Sequence, residues 1–261
     1  MTEFKYVGAE LELFADVHNW KSYWSGKLRP FIDGDVLEVG AGLGANTSYL
    51  DARKQGRWVC LEPDAQLVDQ LARNLAQTNR SRGYEAVAGT IKSLEQKQKF
   101  DTIIYIDVLE HIENDCEELK NATALLRAGG RVIVLAPAHQ LLFTPFDAAI
   151  GHFRRYNRAM LRGISPPGLR LEKLIYLDSA GLILSTANLL LLRQSMPTRS
   201  QLHIWDRWFI PISRVLDPCL FHAVGKSIVA VWRHESDGDT KIPGANKLPR
   251  QRPSTPENSA V

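Results

Sequence analysis

Cysteine is scarce in this chain. Cys60, Cys116 and Cys219 are the whole complement and stand far apart. With no CxxC pair and no cysteine–histidine cluster, zinc ribbons and zinc fingers are excluded and no metal is expected. An odd, scattered set offers no disulfide framework, so the expected compartment is reducing, the cytoplasm. Long apolar runs are also missing. The longest, Leu182–Leu192, is interrupted by Ser185, Thr186 and Asn188, and it falls well short of the roughly 20 residues a membrane span needs. The opening MTEFKYVGAE has neither the basic start nor the apolar centre of a signal peptide. There is no internal repeat, no nucleic-acid recognition motif and no array of stacking aromatics, so no nucleic-acid partner is expected.

What is present suits one α/β domain with extensions: 261 residues, 44% of them hydrophobic, and a net charge of +3. The charge is uneven. Residues 151–261 hold 16 Lys and Arg against 8 Asp and Glu, and residues 1–150 hold 16 against 21. A basic C-terminal part suits an anionic acceptor or a membrane surface, or is simply a solvated face. From about residue 234 the chain is polar and proline-bearing, and a disordered tail over 234–261 is expected.

The informative stretch is Val36–Thr47, VLEVGAGLGANT. A short β-type run ends in Gly40, Gly42 and Gly44, and helix formers follow. A strand, a glycine turn and a helix start make a cradle where backbone approaches a ligand closely. A second strand, Trp58–Leu61, ends at Glu62, with Pro63-Asp64 opening a helix. Glu62 lies 22 positions after Gly40, where an acid can accept hydrogen bonds from a ribose. Further strands are expected at 85–88, 100–106 (ending at Asp107), 131–135, 171–177 and 227–232. A helix capped by Asn114 is expected to stop at Gly129-Gly130. Helices are also expected over 9–25, about 45–53, 179–195 and 202–222. The alternation implies a doubly wound, Rossmann-like, mostly parallel sheet whose carboxyl edge carries Glu38, Glu62, Thr90, Asp107 and Pro137.

The ordered set resembles the class I S-adenosylmethionine-dependent methyltransferases. Glu38-x-Gly40-x-Gly42-x-Gly44 is similar to their acidic three-glycine motif, Glu62 to their ribose-binding acid, and Asp107-Val108-Leu109-Glu110-His111 to the fourth-strand motif of their small-molecule branch. The pattern Pro137…Leu142-Phe143…Asp147…Gly151-His152-x-Arg154-Arg155-Tyr156, with Asp206-Arg207…Pro211-x-Ser213-Arg214 and Gly225-Lys226-Ser227, resembles a subgroup often found near glycosyltransferases. The resemblance implies a seven-stranded sheet with an antiparallel last strand. It also implies S-adenosyl-L-methionine as cofactor, held by Glu38, Gly40, Ala41, Gly42, Gly44, Glu62, Pro63, Thr90, Ile91, Asp107 and Val108. Many relatives carry Asp where Thr90 stands, so the adenine contact there is expected to lean on backbone near Ile91. The implied layout is a helical lid over 1–34, a methyltransferase domain over 35–233 and the tail. The substrate loop and apolar helices fall within 139–222.

A sulfonium methyl already leaves readily, so the protein's task is alignment of the acceptor, with a base where the acceptor is a hydroxyl. His152 is the candidate base, ahead of Glu110, His111 and His139. Arg154, Arg155 and Tyr156 are candidate acceptor contacts, with surface ion pairing and packing as the ordinary alternatives. Trp20 and Tyr23 either cover the cofactor or belong to the core. The acceptor is expected to be a small molecule, a sugar or a lipid-linked glycan. The apolar helices are read as core or a homodimer face, or else as a lipid groove or peripheral membrane contact. Two rival readings stand beside this one. A dinucleotide-dependent oxidoreductase would share the glycine loop, but its Tyr-x-x-x-Lys spacing occurs only at Tyr23…Lys27, ahead of the cradle. A non-catalytic binding module would have lost cofactor affinity.

Overall fold

The computed structural model describes residues 16–51, 56–77, 83–188 and 198–235. Strands β1 (Val36–Val39), β2 (Trp58–Glu62), β3 (Tyr84–Ala88), β4 (Phe100–Ile106), β5 (Leu126–Pro137), β6 (Leu169–Leu177) and β7 (Ser227–His234) form one sheet. Its order is β3-β2-β1-β4-β5-β7-β6. The pairs from β3 through β5 are parallel, and β7 runs antiparallel to both β5 and β6. The expected mostly parallel sheet with an antiparallel last strand is therefore the one observed. A dinucleotide fold runs 3-2-1-4-5-6 without such an insertion, and β7 between β5 and β6 departs from it.

The central strands are buried on both faces and read as continuous apolar runs, as parallel strands do. Side-chain alternation sorts them into two cores. Val36, Trp58, Cys60, Ile104, Ile133 and Val231 face one side with Trp24, Leu71 and Trp205. Leu37, Val59, Ile103, Tyr105, Val134 and Ala230 face the other with Leu119, Tyr156 and Leu161.

Helices α1 (His18–Leu28), α2 (Thr47–Leu50), α3 (Ala65–Gln77), α4 (Asp115–Ala124), α5 (Pro145–Ala149), α6 (Arg158–Gly163), α7 (Ser179–Ala187), α8 (Arg199–Ile204) and α9 (Ile210–Cys219) complete the described part. Three expectations shift. The helix after Asn114 ends at Ala124, because β5 starts at Leu126 and pairs there with Phe100. The single helix expected over 202–222 is broken by a π-helical turn at Trp205–Phe209, where the Ile210 N–H reaches back five residues to the Trp205 carbonyl. Pro211 has no N–H to give, so the ordinary ladder cannot run through this turn. Helix α2 is described over four residues. Leu13, Phe14, Arg53, residues 189–195 and the expected tail beyond Glu235 fall outside the described residues.

α1 is joined to the C-terminal helices by buried carboxylates. Asp206 accepts from the N–H groups of Asn19 (3.1 Å) and Trp20 (2.8 Å) and so caps α1. Asp217 accepts from the N–H groups of Asp178 (2.7 Å) and Ser179 (2.9 Å) and from the Tyr23 hydroxyl (2.7 Å). Asp178 takes the Ser213 hydroxyl (2.7 Å), the Trp205 indole N–H (2.9 Å) and the Gly181 N–H (2.9 Å). Trp20 and Tyr23 are thus buried, Trp20 with its ring 5.8 Å from that of Trp205.

Asp217→Ala would strand three buried donors at once. The expected loss is about 3–5 kcal/mol in urea unfolding. A loss under about 1 kcal/mol would show that this network does not tie α1 to α7 and α9.

Candidate active site

The site lies at the carboxyl edge of the sheet, where β1, β2 and β4 end side by side. Gly40, Gly42 and Gly44 have φ of 65°, 56° and 77°, a region that side chains resist. A Cβ on Gly40 would stand 2.6 Å from Val108 Cγ2. The glycine loop therefore lies directly on the segment that follows β4. Gly40 and the buried Ala41 donate their N–H groups to the Leu61 carbonyl at 2.8 and 3.1 Å. Gly42 donates to Glu62 Oε2 at 2.9 Å, and Asp64, just past Pro63, donates to Glu62 Oε1 at 3.1 Å. Burial pushes the Glu62 carboxyl up, and those two N–H groups pull it back. A loop with glycine at every other position beside a carboxylate at the second strand's end fits S-adenosylmethionine. The loop suits the methionine end, and Glu62 suits the ribose hydroxyls.

Ile91 is buried next to β3's end, and Thr90 is exposed, its N–H given to Ser93 Oγ at 3.1 Å. Asp107 adopts a left-handed φ of 53°, which Asp tolerates better than most residues. Its surroundings desolvate the carboxyl and push it up to about 6, against the pull of His152, Lys226 and Arg155. Glu38 is engaged by the protein itself. Its Oε2 accepts from Thr47 Oγ1 (2.8 Å) and Trp58 Nε1 (2.9 Å), with Cys60 Sγ at 3.8 Å. That geometry joins β1 to β2 and α2 beneath the loop.

The segment 139–157 packs beside this edge around Asp147. That carboxylate, 1% exposed, accepts from the Thr144 N–H (2.8 Å) and hydroxyl (2.9 Å), from His152 Nδ1 (3.0 Å), and from Arg155 at 2.8 and 3.0 Å. Burial works to raise it, yet the bonds from His152 and Arg155 win and hold it well below the ordinary carboxylate range. An ionised carboxylate only accepts, so Nδ1 of His152 is the donor in this pair. Nε2 lies 3.9 Å from Glu110 Oε1. Burial, then the charge of Asp107, raises the Glu110 carboxyl well above its usual value. His111 packs edge-on against His152, with ring centres 4.5 Å apart, and burial lowers it to about 4, so it is neutral at pH 7.

Two candidate acceptor contacts have structural roles. Tyr156 is fully buried, and its hydroxyl donates to Asp115 Oδ2 at 2.8 Å and the Leu109 carbonyl at 3.2 Å. Arg154 spans the Ile112 and Glu113 carbonyls (2.9 and 2.7 Å) and Asp115 (2.8 Å). Both fasten the loop to the start of α4. His139 is likewise engaged, with Nε2 3.0 Å from the Gly225 carbonyl oxygen. Sequence reading did not assign Asp147 or Lys226 to the site. Asp147 sits in a capping box, Thr144-x-x-Asp147, a pattern that signals only a helix start. Lys226 stacks its ammonium 4.5 Å from the Trp205 ring centre, and burial lowers its pKa.

Residues 37–132 match the family model of a methyltransferase domain. Among solved structures, a chain from the complex of the Haloferax volcanii Trm112 methyltransferase activator with a methyltransferase aligns at TM-score 0.58 and 13% identity. It covers 88% of this chain and 96% of its own. Coclaurine N-methyltransferase bound to N-methylheliamine and SAH aligns at 0.57 and 13%, covering 83% of this chain and 72% of its own. The [4+2]-cyclase SpnF aligns at 0.57 and 13%, covering 88% and 95%. Residues 37–132 thus carry a methyltransferase domain, and the described fold is the Rossmann-like methyltransferase fold.

Glu38 yields a pH prediction. Burial raises its carboxyl from 4.5 to about 7, against the bonds from Thr47, Trp58 and Cys60. The folded state then holds this proton more tightly than the unfolded chain does. The linked stability is present in full below the unfolded value and is lost as pH rises through about 7. Between acid and mildly alkaline pH, wild type should lose on the order of 2 kcal/mol relative to Glu38→Gln in denaturant titrations. Parallel profiles would show that the carboxyl titrates normally.

Proposed function

We propose that this enzyme transfers the methyl group of S-adenosylmethionine to an oxygen of a small-molecule, sugar or glycolipid acceptor. The observation that carries the reading is the adjacency of the glycine cradle and Glu62 to the polar group Asp107, Glu110, His152, Arg155 and Lys226. The cofactor supplies an electrophilic methyl on sulfonium sulfur when bound. Gly40, Ala41, Gly42 and Gly44 would lie along its methionine part, Glu62 and Pro63 beside the ribose, Thr90 and Ile91 at the adenine, and Asp107 and Val108 on the methionine side. Glu38 would act on the cofactor by fixing the loop. Lys21, whose Nζ lies 3.5 Å from the Ala45 carbonyl, supports a role for α1 as a cover at this end.

His152 Nε2 would take the acceptor's hydroxyl proton, with Asp147 holding the ring and stabilising the imidazolium as it forms. Arg155 and Lys226 favour an acceptor carrying negative charge. Trp208, Val215 and Phe221 are exposed by 61%, 66% and 88% on the C-terminal helices and the turn after them. They favour an acceptor with a lipid portion, met at a membrane surface by a cytoplasmic protein. No helix among the described residues is long and apolar enough to cross a membrane. A homodimer through the same surface would compete with lipid for it.

Calorimetry with S-adenosylmethionine, its demethylated product and NAD(P)H is the first test. Micromolar binding of the methyl donor, without binding of the dinucleotide, is expected. Gly42→Asp puts a charged side chain at a φ of 56° beside Glu62 and should abolish that binding; undiminished affinity would sink the cradle. His152→Ala should spare cofactor affinity while lowering kcat by roughly 10²–10⁴-fold, the range for a lost general base. An unchanged kcat would remove His152 from the reaction.

A further inference from the structure

Glu110 and His111 follow β4, and His152 comes from the loop some forty residues on. One ligand-capable atom of each lies within 4.8 Å of the other two. Glu110 is 1% exposed, and its Oε2 has no hydrogen-bond partner among the described residues. Oε1 stands 3.9 Å from His152 Nε2, beyond hydrogen-bond range. The carboxyl group is thus buried and stands near an imidazole, and burial together with the charge of Asp107 raises it well above its usual value. Arg155, whose charge acts on Glu110, is given to Asp147 through both its Nε and a terminal nitrogen.

The imidazoles are held as metal-binding imidazoles are held. Asp147 Oδ1 accepts the hydrogen bond from His152 Nδ1 at 3.0 Å and so turns Nε2 toward the Glu110 side. The ring of His111 hydrogen-bonds the backbone at Ile150 and Gly151 and stands edge-on to His152. Two imidazole nitrogens and one carboxylate, with a position left open, form the donor set of a catalytic zinc-type centre. Metal bonds of about 2.0–2.2 Å would set such donors some 3.0–3.6 Å apart. The observed 3.9 Å separation would close by about 0.3–0.9 Å, and the widest spacing in the group, up to 4.8 Å, by more than an ångström.

We propose that Glu110, His111 and His152 bind one divalent transition-metal ion of the zinc type, whose open position receives a hydroxyl of the methyl acceptor. The role given to that hydroxyl rests on the methyltransferase reading; the binding of the ion does not. With the ion in place, His152 no longer takes the proton. The hydroxyl, made more acidic by the metal, releases its proton to bulk water. Its oxygen lone pair forms the new O–C bond as the C–S bond breaks, and the sulfonium leaves as a neutral thioether.

The full chain, stripped of metal by dialysis against a chelator, is titrated with Co²⁺ alone and with Zn²⁺ against a chromophoric chelator. One equivalent should bind with micromolar or tighter affinity. The Co²⁺ spectrum should lack the near-ultraviolet thiolate band that ligation by Cys60, Cys116 or Cys219 would bring. Glu110→Gln and His152→Ala should each weaken binding at least about tenfold, and Asp147→Asn should weaken it by about tenfold or less. Circular dichroism checks the fold of each. Glu110→Gln, which keeps the side chain's size, carries the test where an alanine variant does not fold. Wild type that binds neither ion below about 100 µM, or Glu110→Gln that binds as tightly as wild type, would overturn the proposal. Titration of the metal-free protein with S-adenosylmethionine separates the two ideas. Methyl donor bound without any ion removes the metal and leaves the methyltransferase; an ion bound without methyl donor does the reverse.

Discussion

The contact of Gly40 with Val108 sets the geometry on which the rest of the site depends. No side chain fits between the loop after β1 and the segment after β4, because a Cβ at Gly40 would lie 2.6 Å from Val108 Cγ2. The closeness brings the glycine cradle against Asp107, and Asp107 in turn faces His152, Arg155 and Lys226 through their charges. The parallel pairing of β1 with β4, Val39 opposite Tyr105, delivers both ends at one height. A sheet that ends its central strands together offers a ligand one continuous edge, which is why such folds bind there.

A second constraint acts on the acceptor side. Asp147 collects five hydrogen bonds from Thr144, His152 and Arg155. By doing so it orients the ring of His152 and commits Arg155. The loop carrying these residues is itself anchored through the buried Tyr156 and through Arg154 on the carbonyls of Ile112 and Glu113. In Gly151-His152-Phe153-Arg154-Arg155-Tyr156, the residues therefore divide by function. Arg154 and Tyr156 hold the loop, so that His152 and Arg155 can face the site.

Much of this was legible in the sequence. Strand–helix alternation, three glycines at alternate positions and an acid 22 residues on give the sheet and its working edge, since each is a local pattern. What was not legible depends on partners distant in the chain. Tyr156 and Arg154 look like acceptor contacts beside His152, and only Asp115, 41 residues earlier, turns them inward. Glu38 also joins β1 to Trp58 and Thr47 through its Oε2, a structural bond that the local pattern does not announce. The break at Trp205–Phe209 follows from Pro211, a signal present in the sequence but weak, because proline is also tolerated in a helix's first turn. The residues Asp206, Ser213 and Arg214, noticed as a pattern without a role, cap α1, bond Asp178 and reach the Asn19 carbonyl. Their part is to bind the N-terminal helix to the C-terminal ones.

The buried carboxylates show where structure ends and function begins. Asp178 and Asp217 each take three donors, Glu38 takes the Thr47 hydroxyl and the Trp58 indole N–H, and Asp147 takes five bonds. At Asp147 the donors outweigh the cost of removing charge from water, whereas at Glu38 they offset only part of it and burial still raises the carboxyl to about 7. Glu110 is as deeply buried, yet its Oε2 has no donor among the described residues. An unmatched buried polar atom costs about 1–3 kcal/mol, and a charged one more. A fold that satisfies its other buried acids so fully, and leaves this one bare beside two imidazoles at the end of its cofactor strand, tolerates that cost in the place where a substrate or ion has to bind. Strain and unmet polarity concentrate at working sites because folding alone would remove them. Glu110 is therefore assigned to chemistry by the same hydrogen-bond accounting that assigns Asp217 to architecture.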